Sequence, residues 1–161
     1  MSVTISPDRT GATRRTLLIA GAAGLGAMLV RIEPAAATPE AMQRLIRQVA
    51  GEVPVRKGKV TLDVPALVEN GNSVALTIEV ESPMTAKDYV KAIHVFNEKN
   101  PLPNVVTAHL GPRAGRAKMT TRFRLADTQT ITALAEMSDG TFWSASADVI
   151  VTLQACLENL D

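Results

Sequence analysis

Val74-Ala75-Leu76-Thr77-Ile78-Glu79-Val80 alternates apolar and polar side chains without a break. A period of two sets Val74, Leu76, Ile78 and Val80 on one face and Ala75, Thr77 and Glu79 on the other, the pattern of a half-buried β-strand. Upstream the pattern recurs, with Val60, Leu62 and Val64 alternating with Thr61 and Asp63. Between the two lies Asn70-Gly71-Asn72, residues that tolerate the positive φ of a tight turn, so the segments are expected to pair as a hairpin.

Working downstream, further strands are expected at Val105–Leu110, Lys118–Leu125, Thr130–Met137 and Ala145–Leu153. The last would turn Val149, Val151 and Leu153 to one side, and Ser138-Asp139-Gly140 forms the turn before it. Tyr89–Phe96 reads equally as strand or as one helical piece, because Lys91 and His94 interrupt both periods. Upstream, Thr38-Pro39 followed by Met42, Leu45, Ile46 and Val49, with Gly51 as stop, predicts one short amphipathic helix. Seven closely spaced strands with no helices between them predict an all-β fold, an immunoglobulin-like antiparallel β-sandwich preceded by that helix.

The N-terminus has a different character. Arg14 and Arg15 precede an uncharged apolar run, Leu17–Val30, and small residues follow at Ala35-Ala36-Ala37. That run is shorter than the roughly 20 residues a membrane-spanning helix needs. Residues 1–37 therefore read as a cleaved signal of the twin-arginine type, in preference to an uncleaved anchor or an ordinary apolar helix, and no stable membrane anchor is expected. Residues 38–57 then hold the helix and a linker, 58–153 the sandwich and 154–161 a C-terminal arm.

The chain has 161 residues, 46% of them hydrophobic, and a formal charge of +1. Removing residues 1–37 takes away Arg9, Arg14, Arg15 and Arg31 against Asp8 and Glu33, so the remaining 124 residues carry −1. Without a dominant positive field, nucleic acid is not an expected partner. Lys87, Lys91, Lys99, Arg113, Arg116, Lys118, Arg122 and Arg124 read as a solvated strand surface, and Gly111–Arg116 as a hairpin loop. Tyr89, Phe96, Phe123, Phe142 and Trp143 are expected to fill core or a partner interface.

An enzyme would need a nucleophile with its base, paired carboxylates or a metal set, and none stands out. His94 and His109 read as strand residues with satisfied rings, and the acids are scattered singly. No metal and no cofactor is expected. Cys156 is the single cysteine and lies past the last apolar alternation. In an oxidising compartment a lone thiol is buried and inert, bonded to another chain, or kept as a reactive group. As thiolate it is a nucleophile that another protein could load and unload.

Many segments in order resemble one family. They include Val60-Thr61-Leu62, Glu69-Asn70-Gly71, Val80-Glu81-Ser82-Pro83-Met84-Thr85, Asp88-Tyr89-Val90-Lys91, Ile93-His94-Val95-Phe96, Glu98-Lys99-Asn100-Pro101, Ala114-Gly115-Arg116-Ala117, Thr121-Arg122, Leu125-Ala126, Thr128-Gln129-Thr130 and Ala135-Glu136-Met137-Ser138-Asp139-Gly140. Together, from about Gly58 to Leu153, they resemble SoxY, the sulfur-carrier subunit of the periplasmic thiosulfate-oxidising Sox system. The resemblance implies a periplasmic, non-catalytic carrier that forms a heterodimer with a SoxZ-like subunit. It also implies that Cys156 is the covalent attachment point, loaded by a haem-containing thiosulfate-conjugating enzyme and then served by a sulfate-releasing hydrolase and a sulfane dehydrogenase.

The family's arm reads Gly-Gly-Cys-Gly-Gly, whose lack of Cβ atoms suits a narrow active site. Here Val151-Thr152-Leu153 keeps the approach, but the arm is Gln154-Ala155-Cys156-Leu157-Glu158-Asn159-Leu160-Asp161. Leu157 and Glu158 set bulk and charge beside the sulfur. The alternative expectation is a SoxY-like structural or binding subunit that pairs with a SoxZ-like chain but carries nothing.

Overall fold

The computed structural model describes residues 38–153. The proposed signal with Arg14 and Arg15, and the arm with Cys156, lie outside the described residues.

Helix α1 spans Pro39–Ala50 and begins and ends where the sequence signals place it. Thr38 is the N-cap, its side chain accepting from Ala41 N, proline occupies the first turn, and Gly51 ends the helix at φ 60°. Met42, Ile46 and Ala50 form its buried stripe. Among the described residues no helix is long and apolar enough to cross a membrane.

Nine strands follow: β1 (Val55–Lys57), β2 (Val60–Asp63), β3 (Leu67–Asn70), β4 (Val74–Val80), β5 (Val90–Asn97), β6 (Asn104–His109), β7 (Ala117–Phe123), β8 (Gln129–Met137) and β9 (Phe142–Leu153). They form a three-stranded sheet ordered β2-β4-β7 and a larger sheet ordered β1-β9-β8-β5-β6, with β3 also on β9. The immunoglobulin-like sandwich is thus present, with α1 as a third layer on the outside of the larger sheet. Its main pairings are antiparallel; β1 and β3 add short parallel pairings to β9.

The smaller sheet follows the alternation closely. Val74, Leu76, Ile78 and Val80 are buried while Ala75 and Glu79 face water. Against them pack Ile93, Val95, Ile131, Ala133, Ala135 and Val149 from the larger sheet. A second cluster joins Met42, Ile46 and Ala50 of α1 to Phe96, Leu134 and Phe142 on that sheet's other face. Covering both faces of β5 explains its ambiguous sequence. His94 and Phe96 point toward the helix side and Ile93 and Val95 toward the sandwich core, so nearly every position is buried and the period of two disappears.

Two expected hairpins are corrected. β2 does pair antiparallel with β4, Val60 opposite Val80, but β3 lies between them in sequence and crosses to the larger sheet, where Leu67 pairs with Ile150. Asn70-Gly71-Asn72, with Asn70 Oδ1 accepting from Asn72 N at 2.9 Å, therefore joins two sheets rather than a hairpin. Gly111–Arg116 is likewise a crossover, from β6 to β7, and contains one 3₁₀ turn at Pro112–Ala114. Ser138-Asp139-Gly140 does close a hairpin, with Gly140 at φ 82° and Asp139 Oδ1 accepting from Thr141 N at 2.8 Å.

Candidate functional site: the strand that leads to Cys156

β9 is the longest strand, and its last residues are held on both sides. β8 pairs with it from Glu136–Phe142 to Gln129–Val149; past that point Thr128 takes over, its Oγ1 accepting from Val151 N at 3.0 Å. On the opposite edge β3 pairs through Leu67–Ile150, Val68–Val151 and Asn70–Leu153. Ile150 N donates to Ala66 O at 2.9 Å and Thr152 Oγ1 to Glu69 O at 3.2 Å. Val149 and Val151 turn inward, as the alternation predicts. The chain is fixed to Leu153, and three further residues extend at most about 10 Å to Cys156.

The end of the sandwich from which the chain leaves is stiffened by side-chain amides. Gln129 is 4% exposed yet fully bonded. Its Nε2 donates to Asn100 Oδ1 at 3.0 Å and to Asp127 O at 3.1 Å, and its Oε1 accepts from Lys99 N at 2.8 Å. Asn100 Oδ1 also accepts from Ala126 N at 3.0 Å, while its Nδ2 donates to Arg124 O at 2.7 Å. Lys99 Nζ pairs with Asp127 Oδ2 at 3.0 Å, and Asp127 Oδ1 accepts from Thr128 N at 2.6 Å. This network ties the loops after β5 and β7 to Thr128, the residue that holds Val151.

Three segments that carry the resemblance, Glu98–Pro101, Leu125-Ala126 and Thr128–Thr130, meet in this network. At the opposite end Ser138 Oγ accepts from Tyr89 N at 3.1 Å and donates to Lys87 O at 3.2 Å, and Val90 N lies 3.5 Å from Met84 Sδ. Several of the matching segments thus fall in the two loop clusters at the ends of the sandwich, while others, such as Val60-Thr61-Leu62 and Ile93-His94-Val95-Phe96, lie within strands. Composition and periodicity gave no sign of the roles of Gln129, Asn100 and Thr128; the useful signal was polar, amide-bearing residues at the mouth of an apolar strand.

The other candidates fall apart from one another. His94 is buried on β5 with Nδ1 3.1 Å from Thr107 Oγ1 and its ring stacked 6.2 Å from Phe96. Its Nε2 is buried without a partner, so the expected satisfied ring is half satisfied, and no carboxylate orients it. Burial, the largest influence, pushes its pKa below the usual histidine value, and the ring is neutral at pH 7. His109 is exposed at the end of β6. Among the described residues no group of three or more His, Cys, Asp or Glu could hold a metal ion.

The basic residues are largely an ordinary surface. Lys91 pairs with Glu136 and Lys118 with Glu79, and such solvent-exposed pairs are screened by water and add little to stability. Phe96, Phe123 and Phe142 are core, while Trp143 is half-buried with Lys59 Nζ 4.9 Å and Arg56 Cζ 5.6 Å from its ring centre.

Known proteins agree with this architecture. The SoxY sulfur carrier protein from Chlorobium limicola f thiosulfatophilum superposes with a TM-score of 0.59 at 23% identity, covering 70% of this chain and 96% of that one. The superoxide reductase (neelaredoxin) from Ignicoccus hospitalis superposes with a TM-score of 0.53 at 15% identity, over 71% of this chain and 94% of that one. At those identities the likeness is one of fold. No curated protein matches the chain. The family model for sulfur oxidation protein SoxY matches residues 46–156, from the second half of α1 through Cys156. The chain belongs to the SoxY family.

Proposed function

We propose that this chain is a covalent carrier of sulfur intermediates, with Cys156 as the attachment point. The observation that supports this reading most is the placement of β9. Its backbone is gripped from both sides to within three residues of the single cysteine, so the thiol leaves a fixed base within a short radius. An unperturbed thiol has a pKa of about 8.5, leaving a few per cent thiolate at neutral pH. That species attacks the sulfane sulfur of thiosulfate. A new S–S bond forms, the thiol proton is released, and two electrons pass to a haem-containing conjugating enzyme, leaving Cys156 as a thiosulfonate. A hydrolase then adds water across the S–SO₃ bond and releases sulfate and protons, leaving a persulfide for a sulfane dehydrogenase.

The same reading places the protein in the periplasm, exported by the twin-arginine route through Arg14 and Arg15, and pairs it with a SoxZ-like subunit. Support for a partner comes from Leu67 and Ile150, register neighbours on β3 and β9 that are 61% and 53% exposed. A monomer gains nothing by exposing two large apolar side chains side by side, whereas an interface does.

Incubation with thiosulfate and the cognate haem enzyme, followed by intact mass, tests the carrier. The expected result is a thiosulfonate adduct that vanishes in Cys156→Ser. An unmodified mass, under conditions that load a glycine-armed SoxY, favours a SoxY-like subunit that pairs but carries nothing. Leu157 and Glu158 are the observation in favour of that second reading, because a channel fitted to glycine rejects a branched side chain by clash and an unpaired carboxylate by desolvation.

A further inference from the structure

We propose that the groove between α1 and β1 is a binding site for a small organic anion, an oxyanion headgroup on a short apolar body. The groove has a volume of about 360 Å³, within the usual size for small-molecule sites. It lies at the far end of β9 from the cysteine arm and serves a purpose separate from the carrier chemistry.

Its floor comes from a change of character along the helix-facing side of the larger sheet. Phe142 and Leu134 on that side pack under α1. Continuing along the same strands at a period of two, the positions become Ser144 and Ser146 on β9 and Thr132 on β8, hydroxyls where more apolar contact would be expected. Thr132 is 6% exposed, and its Oγ1 lies 2.9 Å from Ser146 Oγ. Two hydroxyls sharing one bond keep one O–H free, and the Ser144 hydroxyl has no hydrogen-bond partner among the described residues. The floor therefore offers two O–H donors.

Cations stand over that floor. Arg47, in the last turn of α1, and Lys57, opposite Ser144 at the end of β1, both line the groove. Lys91, Lys99 and Lys118 each have a carboxylate; Arg47 and Lys57 make no ion pair among the described residues, and no acidic side chain lines the groove. Two unneutralised cations with neutral donors call for a ligand that only accepts hydrogen bonds, which describes a carboxylate or sulfonate. Gln43 adds one amide to the lining, and the rest of the wall is mainly apolar, including Ile46, Val53 and Val55, of which Val53 and Val55 are 41% and 37% exposed. A bare inorganic anion leaves that wall wet; a short aliphatic chain covers it.

The test titrates butanesulfonate, inorganic sulfate and butylammonium separately into the ¹⁵N-labelled full chain at fixed ionic strength. Butanesulfonate is expected to give saturable amide shifts at Arg47, Ser144 and Ser146, bind at least about tenfold tighter than sulfate, and leave butylammonium without effect at those amides. Each of Arg47→Gln and Lys57→Gln, both surface changes that keep the melting temperature, is expected to weaken binding about tenfold, the scale of one charge-assisted hydrogen bond. Cys156→Ser is expected to leave binding unchanged, which keeps this result independent of the carrier reading. Absence of saturable shifts, unchanged affinity in both variants, or sulfate binding as tightly as butanesulfonate would each overturn the proposal.

Discussion

Replacing Gln129 by alanine asks whether the amide network is what fixes the base of the cysteine arm. The change removes three hydrogen bonds of 2.8 to 3.1 Å from a side chain that is 4% exposed. Each contributes about 1 kcal/mol net, and the Lys99 N–H and Asp127 carbonyl left behind lose partners, so about 3 kcal/mol is expected. For a domain of roughly 120 residues that corresponds to a fall in Tm of about 10 °C, read by circular dichroism. Gln129→Glu, nearly the same shape, should be no milder. Its carboxylate keeps the bond from Lys99 N but faces Asn100 Oδ1 and Asp127 O, both acceptors. Asn100 cannot turn its amide to help without losing Ala126 N and Arg124 O. Amide exchange at Val151 should quicken in both variants, because Thr128 is positioned by the same loop. A Tm fall below about 3 °C in Gln129→Ala, or a Gln129→Glu protein as stable as the parent, would refute the reasoning.

Phe96→Ala, which empties the cluster between α1 and the larger sheet, is expected to cost about 3–5 kcal/mol and release helical signal before the sheet unfolds; denaturant melts at two wavelengths check this. His94, held neutral by burial, should make stability fall with pH. The unfolded ring takes up a proton below about pH 6.5 while the folded one resists, so stability is lost as pH drops from there toward the lowered folded value, at no more than about 1.4 kcal/mol per pH unit. Urea melts at pH 7 and pH 5 should show the loss, and His94→Phe should remove it. Asp substitutions at both Leu67 and Ile150, exposed positions whose change leaves the fold intact, should abolish co-purification with a SoxZ-like subunit; retention would move the interface elsewhere.

Legibility in the sequence followed how each segment is buried. β4 announced itself because one face meets the core and the other water, and α1 because Thr38 and Gly51 mark its ends in the expected chemistry. β5 did not, because burial on both faces erases its period. β1 and β3 escaped notice for the opposite reason. They are three and four residues long with little of their surface buried, and they exist as strands because β9 offers them an edge. A turn's residues declare that the chain reverses, but not whether the next strand joins the same sheet, so Asn70–Asn72 was legible as a turn and not as a crossover. Of the site, the resemblance marked Glu98–Pro101 and Thr128–Thr130 as segments, while the bonding that makes Gln129 and Thr128 matter needed three loops brought together.

The imidazole at His94 is buried, held neutral and directed at a threonine hydroxyl, and no carboxylate hydrogen-bonds to its other nitrogen, an arrangement that fixes a strand. On the proposed carrier reading, activation of Cys156 comes from the enzyme that receives the arm, through a positive charge or base that raises the thiolate fraction there. Selectivity then resides in how the arm fits that enzyme. On that reading Leu157 and Glu158 enter the fit directly, since they adjoin Cys156 in sequence and would travel with the sulfur. A partner that loads this chain must provide an apolar recess for the one and a cation or amide donors for the other. A channel with those features would hold a glycine arm loosely, so the chain and its loading enzyme should recognise each other in preference to glycine-armed relatives.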